Sequence, residues 1–197
     1  LDEIGLDYAV LYPTHGLYAL SIKPDELRRA ACRAFNVYHS RVYEKYSDRL
    51  TPVALIPMGS PEEAVEELHF ARSLGLKCIL LGGLNGKRHN GRYQIEIPGF
   101  ENEQDYDPVW RTCLELGFVP SFHSSGMGWG TRAAPNNYVF NHIGNFAAAQ
   151  EAICRSLFLG GVTNRFPELR FAFLEGGVGW ACNLYADLVS HWQKRNA

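Results

Sequence analysis

The sequence predicts an α/β fold built on parallel strands, and three observations carry that expectation. Almost uniformly apolar runs at 50–56, 76–81 and 118–122 suit strands buried on both faces, as in parallel sheets. Helical patterns separate these runs and two flanking ones, so strand and helix alternate five times. The residues with chemistry to offer fall just after the strands: His15, Gly82-Gly83, His123 and Glu175. Parallel strands need right-handed crossovers, which the helices supply. Two architectures fit this pattern equally, a (β/α)8 barrel and an open doubly wound sheet. Both place function at the carboxyl ends of their strands.

Residues 2–7 read as the end of a helix entering a first strand at 8–12, which Pro13 stops. The next helix opens at Pro24, where a missing N–H costs little. Asp25 and Glu26 suit its positive end. Leu27, Ala30, Ala31, Ala34, Tyr38 and Val42 repeat at helical spacing and predict its buried face. The second strand, 50–56, is followed by Ser60-Pro61-Glu62-Glu63, a capping box with proline at the first helical position. Ala64, Val65, Leu68, Ala71 and Leu74 form the apolar stripe of that helix, and Gly75 is placed to end it in a left-handed conformation.

The third strand is 76–81, and 82–99 reads as a long polar loop over one end of the sheet. Asp107-Pro108 opens a helix with Trp110, Cys113 and Leu114 apolar and Gly117 as its stop. The fourth strand, 118–122, runs into His123. A loop rich in Gly, Asn and Pro continues to about 145. A helix at 146–159 carries apolar Ala149, Ile153 and Leu157, 164–167 reads as a turn, and the fifth strand, 169–174, ends in Glu175-Gly176-Gly177. A last helix covers 180–194.

Hydrophobic residues make up 46% and charged residues 20% of the 197, an ordinary globular balance with enough chain for one cored domain. A formal net charge of −2 leaves no electrostatic footprint for nucleic acid or an anionic membrane. No apolar run reaches membrane-span length, and the first residues lack the basic and apolar segments of a signal peptide. The five cysteines include no C-x-x-C pair and read as free, buried thiols, which predicts a reducing, cytoplasmic setting.

His123 can ligate a metal or act as a base, and Ser124-Ser125-Gly126 offers it a polar neighbourhood. Glu175 directly follows the apolar run FAFL, so it is either aimed into a site or paired with a cation such as Arg132, Arg165 or Arg170. His15 and His142 lie in loops at the same end. With His123 and Glu175 they could form a nitrogen–oxygen site for zinc or manganese, where bound water loses a proton near neutral pH. Arg132 could clamp a substrate carboxylate. The glycines of 126–130 do not form G-x-G-x-x-G and open no helix, so dinucleotide binding is disfavoured. No G-x-S-x-G is present, and no cysteine sits at a strand end beside a turn.

Several ordered stretches resemble the amidohydrolase-2 family, relatives of aminocarboxymuconate-semialdehyde decarboxylase. Residues 2–11, DEIGLDYAVL, resemble the family's D-x-x-G-I-D-x-A-V entry to its second barrel strand. Asn36 in AFN, then 46–50, YSDRL, resemble the helix and entry to the third. Pro57 with 62–68, EEAVEEL, resembles P-x-x-x-P-E-x-A-x-x-E-L. Gly161-Val162 with 165–171, RFPELRF, resembles G-V-x-x-R-F-P-x-L-K, and 176–180, GGVGW, resembles the glycine turn after the sixth strand. The resemblance implies a TIM-type (β/α)8 barrel of which about five βα units are visible, with metal chemistry at the strand ends.

By position, His123 matches the ligand histidine after the fifth barrel strand. Glu175 stands where many relatives carry a second histidine. The family's first-strand H-x-H and eighth-strand aspartate have no counterpart, so the resemblance implies one barrel domain over 1–197 that represents strands two to six of a longer protein, with open edges and room for a homo-oligomer. It further implies a divalent metal, zinc ahead of manganese. A hydrolase or decarboxylase acting on a small carbonyl or carboxylate compound follows, with His123 and Glu175 as ligands and catalytic groups and His15, Arg132 and His142 shaping the substrate pocket. The alternative is a diverged, non-catalytic relative serving as a binding or structural subunit.

Overall fold

The computed structural model describes residues 1–89, 92–99, 103–123 and 130–195. Among them, β1 (Ala9–Leu11), β2 (Leu50–Ile56), β3 (Cys78–Gly82), β6 (Pro120–His123) and β7 (Ala172–Phe173) pair in parallel in the order β1-β2-β3-β6-β7. Each strand therefore joins the sheet beside its predecessor and on the same side. An open doubly wound sheet reverses direction at a switch point; this one never reverses. With right-handed crossovers, unreversed order curls the sheet as in a barrel, so the five strands form a curled half-barrel.

Alternation along the strands feeds two cores. Ala54 and Ile56 of β2, Ile79 and Leu81 of β3 and Phe122 of β6 point to one face. There they meet Ala64, Leu68 and Ala71 of α3 (Pro61–Ser73), Trp110 of α4 (Asp107–Leu116) and Ile153 of α6 (Asn145–Leu159). Val53, Leu55 and Leu80 point the other way, onto Ala19 and Leu20 beside α1 (Gly16–Ala19) and onto Cys32 of α2 (Asp25–Tyr43).

Half of the expected capping box forms, because the Glu63 carboxylate accepts from the Gly59 N–H and Arg28 rather than from the Ser60 N–H. The Ser60 hydroxyl accepts from the Glu63 N–H at 3.3 Å, Pro61 opens α3, and Gly75 and Gly117 follow their helices at φ 78° and 69°. Pro24 stands one place earlier than expected, as the cap of α2 rather than its first residue.

The expected face of α2 is wrong. Leu27, Tyr38 and Val42 are exposed, and the helix instead buries Arg28, Cys32, Asn36 and His39. The physical reason is the edge of β2. Its pairing with β1 ends at Pro52, so Val53–Ile56 would have bare backbone on that side. Asn36 meets it with both ends of its amide, donating to Leu55 O at 3.0 Å and accepting from Leu55 N at 2.7 Å. His39, one turn on, bonds the Val53 backbone. Arg28 reaches across to α3, with its Nη2 2.9 and 3.1 Å from the two Glu63 oxygens. Arg28, Asn36 and His39 are buried here because they reach partners across elements, although His39 Nδ1 has none among the described residues, and a count of apolar side chains cannot foresee such contacts.

Three connections are also more structured than expected. The segment read as a polar loop at 82–99 contains an antiparallel hairpin, β4 (Asn85–His89) with β5 (Arg92–Glu96), outside the main sheet. The two strands flank Asn90-Gly91 in the sequence, a dipeptide that favours hairpins. A short helix α5 (Tyr138–His142) interrupts the loop before α6, and α7 (Val162–Arg165) overlaps the expected turn. The last helix, α8 (Gly179–Arg195), follows the expected span. All five cysteines are free, but Cys182 is exposed rather than buried. No helix among the described residues is long and apolar enough to cross a membrane.

Candidate functional site

The carboxyl ends of β6 and β7 carry the site. In the register Leu80↔Ser121 and Ser121↔Ala172, His123 follows Ser121 by two and so shares its face of the sheet. Gly82 of β3 lies directly opposite His123, so the neighbouring strand sets no side chain beside the ring. On the other side, β7 ends one residue before Leu174, whose N–H donates to Phe122 O at 3.1 Å. Glu175 then turns sharply, with φ at 62°, a left-handed conformation that it alone adopts among the described non-glycine residues. For a side chain with a Cβ that conformation costs about 1–2 kcal/mol. The turn aims the carboxylate back at β6, where Glu175 Oε2 lies 2.5 Å from His123 Nε2.

Among the described residues, Glu175 thus meets His123 rather than an arginine. Of the arginines that might have neutralised it, Arg165 holds Asp107 through two bonds of 2.6 and 2.8 Å, Arg170 donates to Pro167 O at 3.4 Å, and Arg132 donates to Ile143 O at 3.2 Å. The His123 side chain is 9% exposed and that of Glu175 59%, so the imidazole is approached from the carboxylate side. Phe146, in the first turn of α6, backs the His123 ring edge-on at 5.5 Å between centroids.

The other expected site residues are placed as follows. His142 ends α5, stacks on Tyr138 at 5.2 Å and meets Phe146 edge-on at 5.2 Å, so Phe146 touches both histidines. Arg132 packs where a Cβ on Gly144 would come within 3.0 Å of its guanidinium, in the segment leading to α6. His15 precedes α1 and is exposed. The polar stretch Ser124-Ser125-Gly126 and the glycine loop up to Trp129 lie outside the described residues.

The donor types at the strand ends are ones that a divalent metal accepts. His123 offers a nitrogen and Glu175 an oxygen, the ligand classes that zinc and manganese accept. Among the described residues no third histidine, cysteine or carboxylate joins them. Cys32 and Cys113 do not compete as nucleophiles, since burial pushes both up to about 12. A large apolar groove of about 800 Å³ between α6, β7 and α8 is lined by Phe171, Phe173 and Trp192. It lies on the helix-covered face with Phe122 and Phe173, away from the face that carries His123.

Sequence reasoning missed one residue, Gln150 of α6. It is fully buried, and its Nε2 donates to Phe122 O at 3.2 Å and to Leu174 O at 3.0 Å. Those carbonyls belong to the residues immediately before His123 and Glu175. A signal existed: Gln150 is in phase with Ile153 and Leu157, a polar residue inside the apolar stripe.

The amidohydrolase family model matches residues 13–196. The chain belongs to the amidohydrolase family. A curated relative, the 2-amino-3-carboxymuconate-6-semialdehyde decarboxylase of Dictyostelium discoideum, is 26% identical over 182 residues, which cover 90% of this chain and 46% of that protein. Among solved structures, an amidohydrolase from Mycobacterium avium subsp. paratuberculosis K-10 matches with a TM-score of 0.75 at 22% identity, over 99% of this chain and 51% of that one. A dihydroxybenzoic acid decarboxylase from Polaromonas sp. JS666, solved with bound manganese and an inhibitor, matches with a TM-score of 0.69 at 19% identity, over 86% and 50%. These likenesses bear out the barrel-type fold. The amidohydrolase chain described here spans about half the length of the relatives it matches.

Proposed function

We propose that this chain contributes to a metal-dependent decarboxylase acting on a small carboxylate compound, with hydrolysis of a small carbonyl compound as the second form of the same chemistry. The observation that carries the proposal is the contact of His123 Nε2 with Glu175 Oε2 at the carboxyl ends of adjacent strands. The decarboxylase relatives favour that branch, and the manganese in one of them supports a divalent ion without deciding between manganese and zinc. In this reading residues 1–197 supply strands two to six of one barrel domain, and the remaining ligands come from elsewhere in the assembled site.

His123 Nε2 and Glu175 Oε2 would hold the metal. When bound, it would polarise a substrate oxygen or lower the pKa of a bound water. The chain's own residues do the rest. Phe146 fixes the plane of the His123 ring. Glu175, on the open side, keeps its second oxygen, Oε1, to take up a proton and present it to a reacting atom. Arg132 and His142, on the segment that leads into α6, would bind the substrate carboxylate, and His15 would border the pocket from β1.

The test is elemental analysis of the intact protein purified with manganese or zinc, compared with His123→Ala. Loss of a direct ligand should weaken metal retention by at least about 10-fold, the scale seen even for outer-shell changes. Equal metal content in both proteins would refute the ligand role. Carbon dioxide release from small aromatic and unsaturated carboxylates then separates decarboxylation from hydrolysis. A loaded, folded protein inert towards both classes would favour the non-catalytic reading.

A further inference from the structure

The structure assigns Gln150 as the positioning residue that sets the His123–Glu175 contact. Its amide nitrogen spans the two strand exits by donating to Phe122 O and Leu174 O. Phe122 O also accepts the Leu174 N–H, so three groups converge at the last point where β6 and β7 are still joined. One residue later the chain releases both His123 and Glu175. The separation of those two side chains therefore depends on the spacing that Gln150 imposes from α6.

The other side of the amide is unusual. Gln150 Oε1 is buried and finds no partner among the described residues, and the same holds for Trp180 Nε1 on α8. Both side chains press on Gly176, the residue after Glu175. A Cβ there would stand 3.0 Å from Trp180 Nε1, 3.1 Å from Gln150 Cγ and 3.3 Å from Ala147 Cα. Gly176 has no positive φ, so glycine is needed at this place for closeness rather than for backbone freedom. Gln150, Gly176 and Trp180 thus pack as one wedge behind the left-handed turn of Glu175. A buried group left without its hydrogen bond is costly, and such residues persist where a site uses them.

The inference deepens the proposed function, but its test does not depend on metal. In chelator-treated protein labelled with ¹⁵N-histidine, the ring proton shared by His123 and Glu175 should give a distinct downfield resonance, assigned by its loss in His123→Gln and Glu175→Ala. Gln150→Met keeps the volume and removes both donated bonds. The expected result is loss of that resonance, or at least about a 10-fold faster exchange of its proton with water, the effect of about 1.4 kcal/mol. Ile153→Val, which loosens α6 at the same core, should leave it unchanged. Should Gln150→Met fail to fold, Gly176→Ala applies pressure to Gln150 from the turn and should give the same loss. An unchanged resonance in either folded variant overturns the inference. Metal content in His123→Ala reads the ligand role separately, so one reading can fail without the other.

Discussion

The buried side-chain amides of Asn36 and Gln150 both hold strand backbone, and they are satisfied to different degrees among the described residues. Asn36 on α2 exchanges a pair of hydrogen bonds with Leu55 and uses its remaining proton on Glu67 Oε1 at 2.8 Å. Glu67 is in turn held by Arg33 at 2.7 Å. Gln150 on α6 donates twice but leaves its oxygen without a partner among the described residues, beside a glutamate in a left-handed turn. The first amide completes a sheet edge and is fully used. The second holds two strand ends apart at a defined distance and carries unsatisfied polarity to do so. Orphaned atoms alone do not separate the two places, since His39 Nδ1 beside β2 also lacks a partner among the described residues; the left-handed Glu175 is what sets the β6–β7 exits apart, and strain of that kind persists where function requires it.

The sharpest way to break the comparison is Asn36→Leu. It strands Leu55 N–H, Leu55 C=O and Glu67 in the interior, at about 1–3 kcal/mol for each group. Chemical denaturation should show a loss of about 4 kcal/mol. Gln150→Met strands only two carbonyls, one of which keeps the Leu174 N–H, and should cost about 1–2 kcal/mol. If the two variants lose equal stability, the contrast drawn here is wrong.

Glu175→Gly sharpens it from the other side. Relief of the left-handed turn should raise stability by about 1 kcal/mol while the His123 contact is lost. A thermal melt and metal content on the same protein would read the two effects together. A variant that gains stability and keeps its metal would remove Glu175 from the ligand set.

The smallest effect concerns pH. Burial holds the His39 imidazole below its ordinary value of 6.5, with the Val53 backbone bond pulling the other way. A histidine with a lowered folded-state pKa stabilises fully above its unfolded value, and that contribution is lost as pH falls through the folded one. The wild type should therefore weaken progressively below pH 6.5, and His39→Gln should lack that part of the slope. Identical profiles in the two proteins would show that the β2 edge does not sense pH.

Much of this was legible beforehand because it is local. Strand–helix alternation, the Ser60-Pro61-Glu63 start and the Gly75 and Gly117 stops depend on residues within a turn of one another. His123 and Glu175 could be singled out because each directly follows an apolar run. The face of α2 could not, because burying Arg28, Asn36 and His39 depends on where β1 ends and on which carboxylates α3 presents. Gln150 was passed over within an apolar stripe for the same reason: its partners lie 24 and 28 residues away.

By itself, then, the sequence determined an α/β chain of parallel strands, the caps and stops of α3 and α4 and the two side chains worth watching, since periodicity and capping are short-range properties. The pattern of strands and helices left barrel and open sheet even, the family resemblance pointed to the barrel, and the strand order of the tertiary structure bore it out, because that order is a matter of which edges meet. It alone turned Glu175 onto His123 and set Gln150 behind them, since a left-handed turn and a buried amide take their meaning from neighbours distant in the chain.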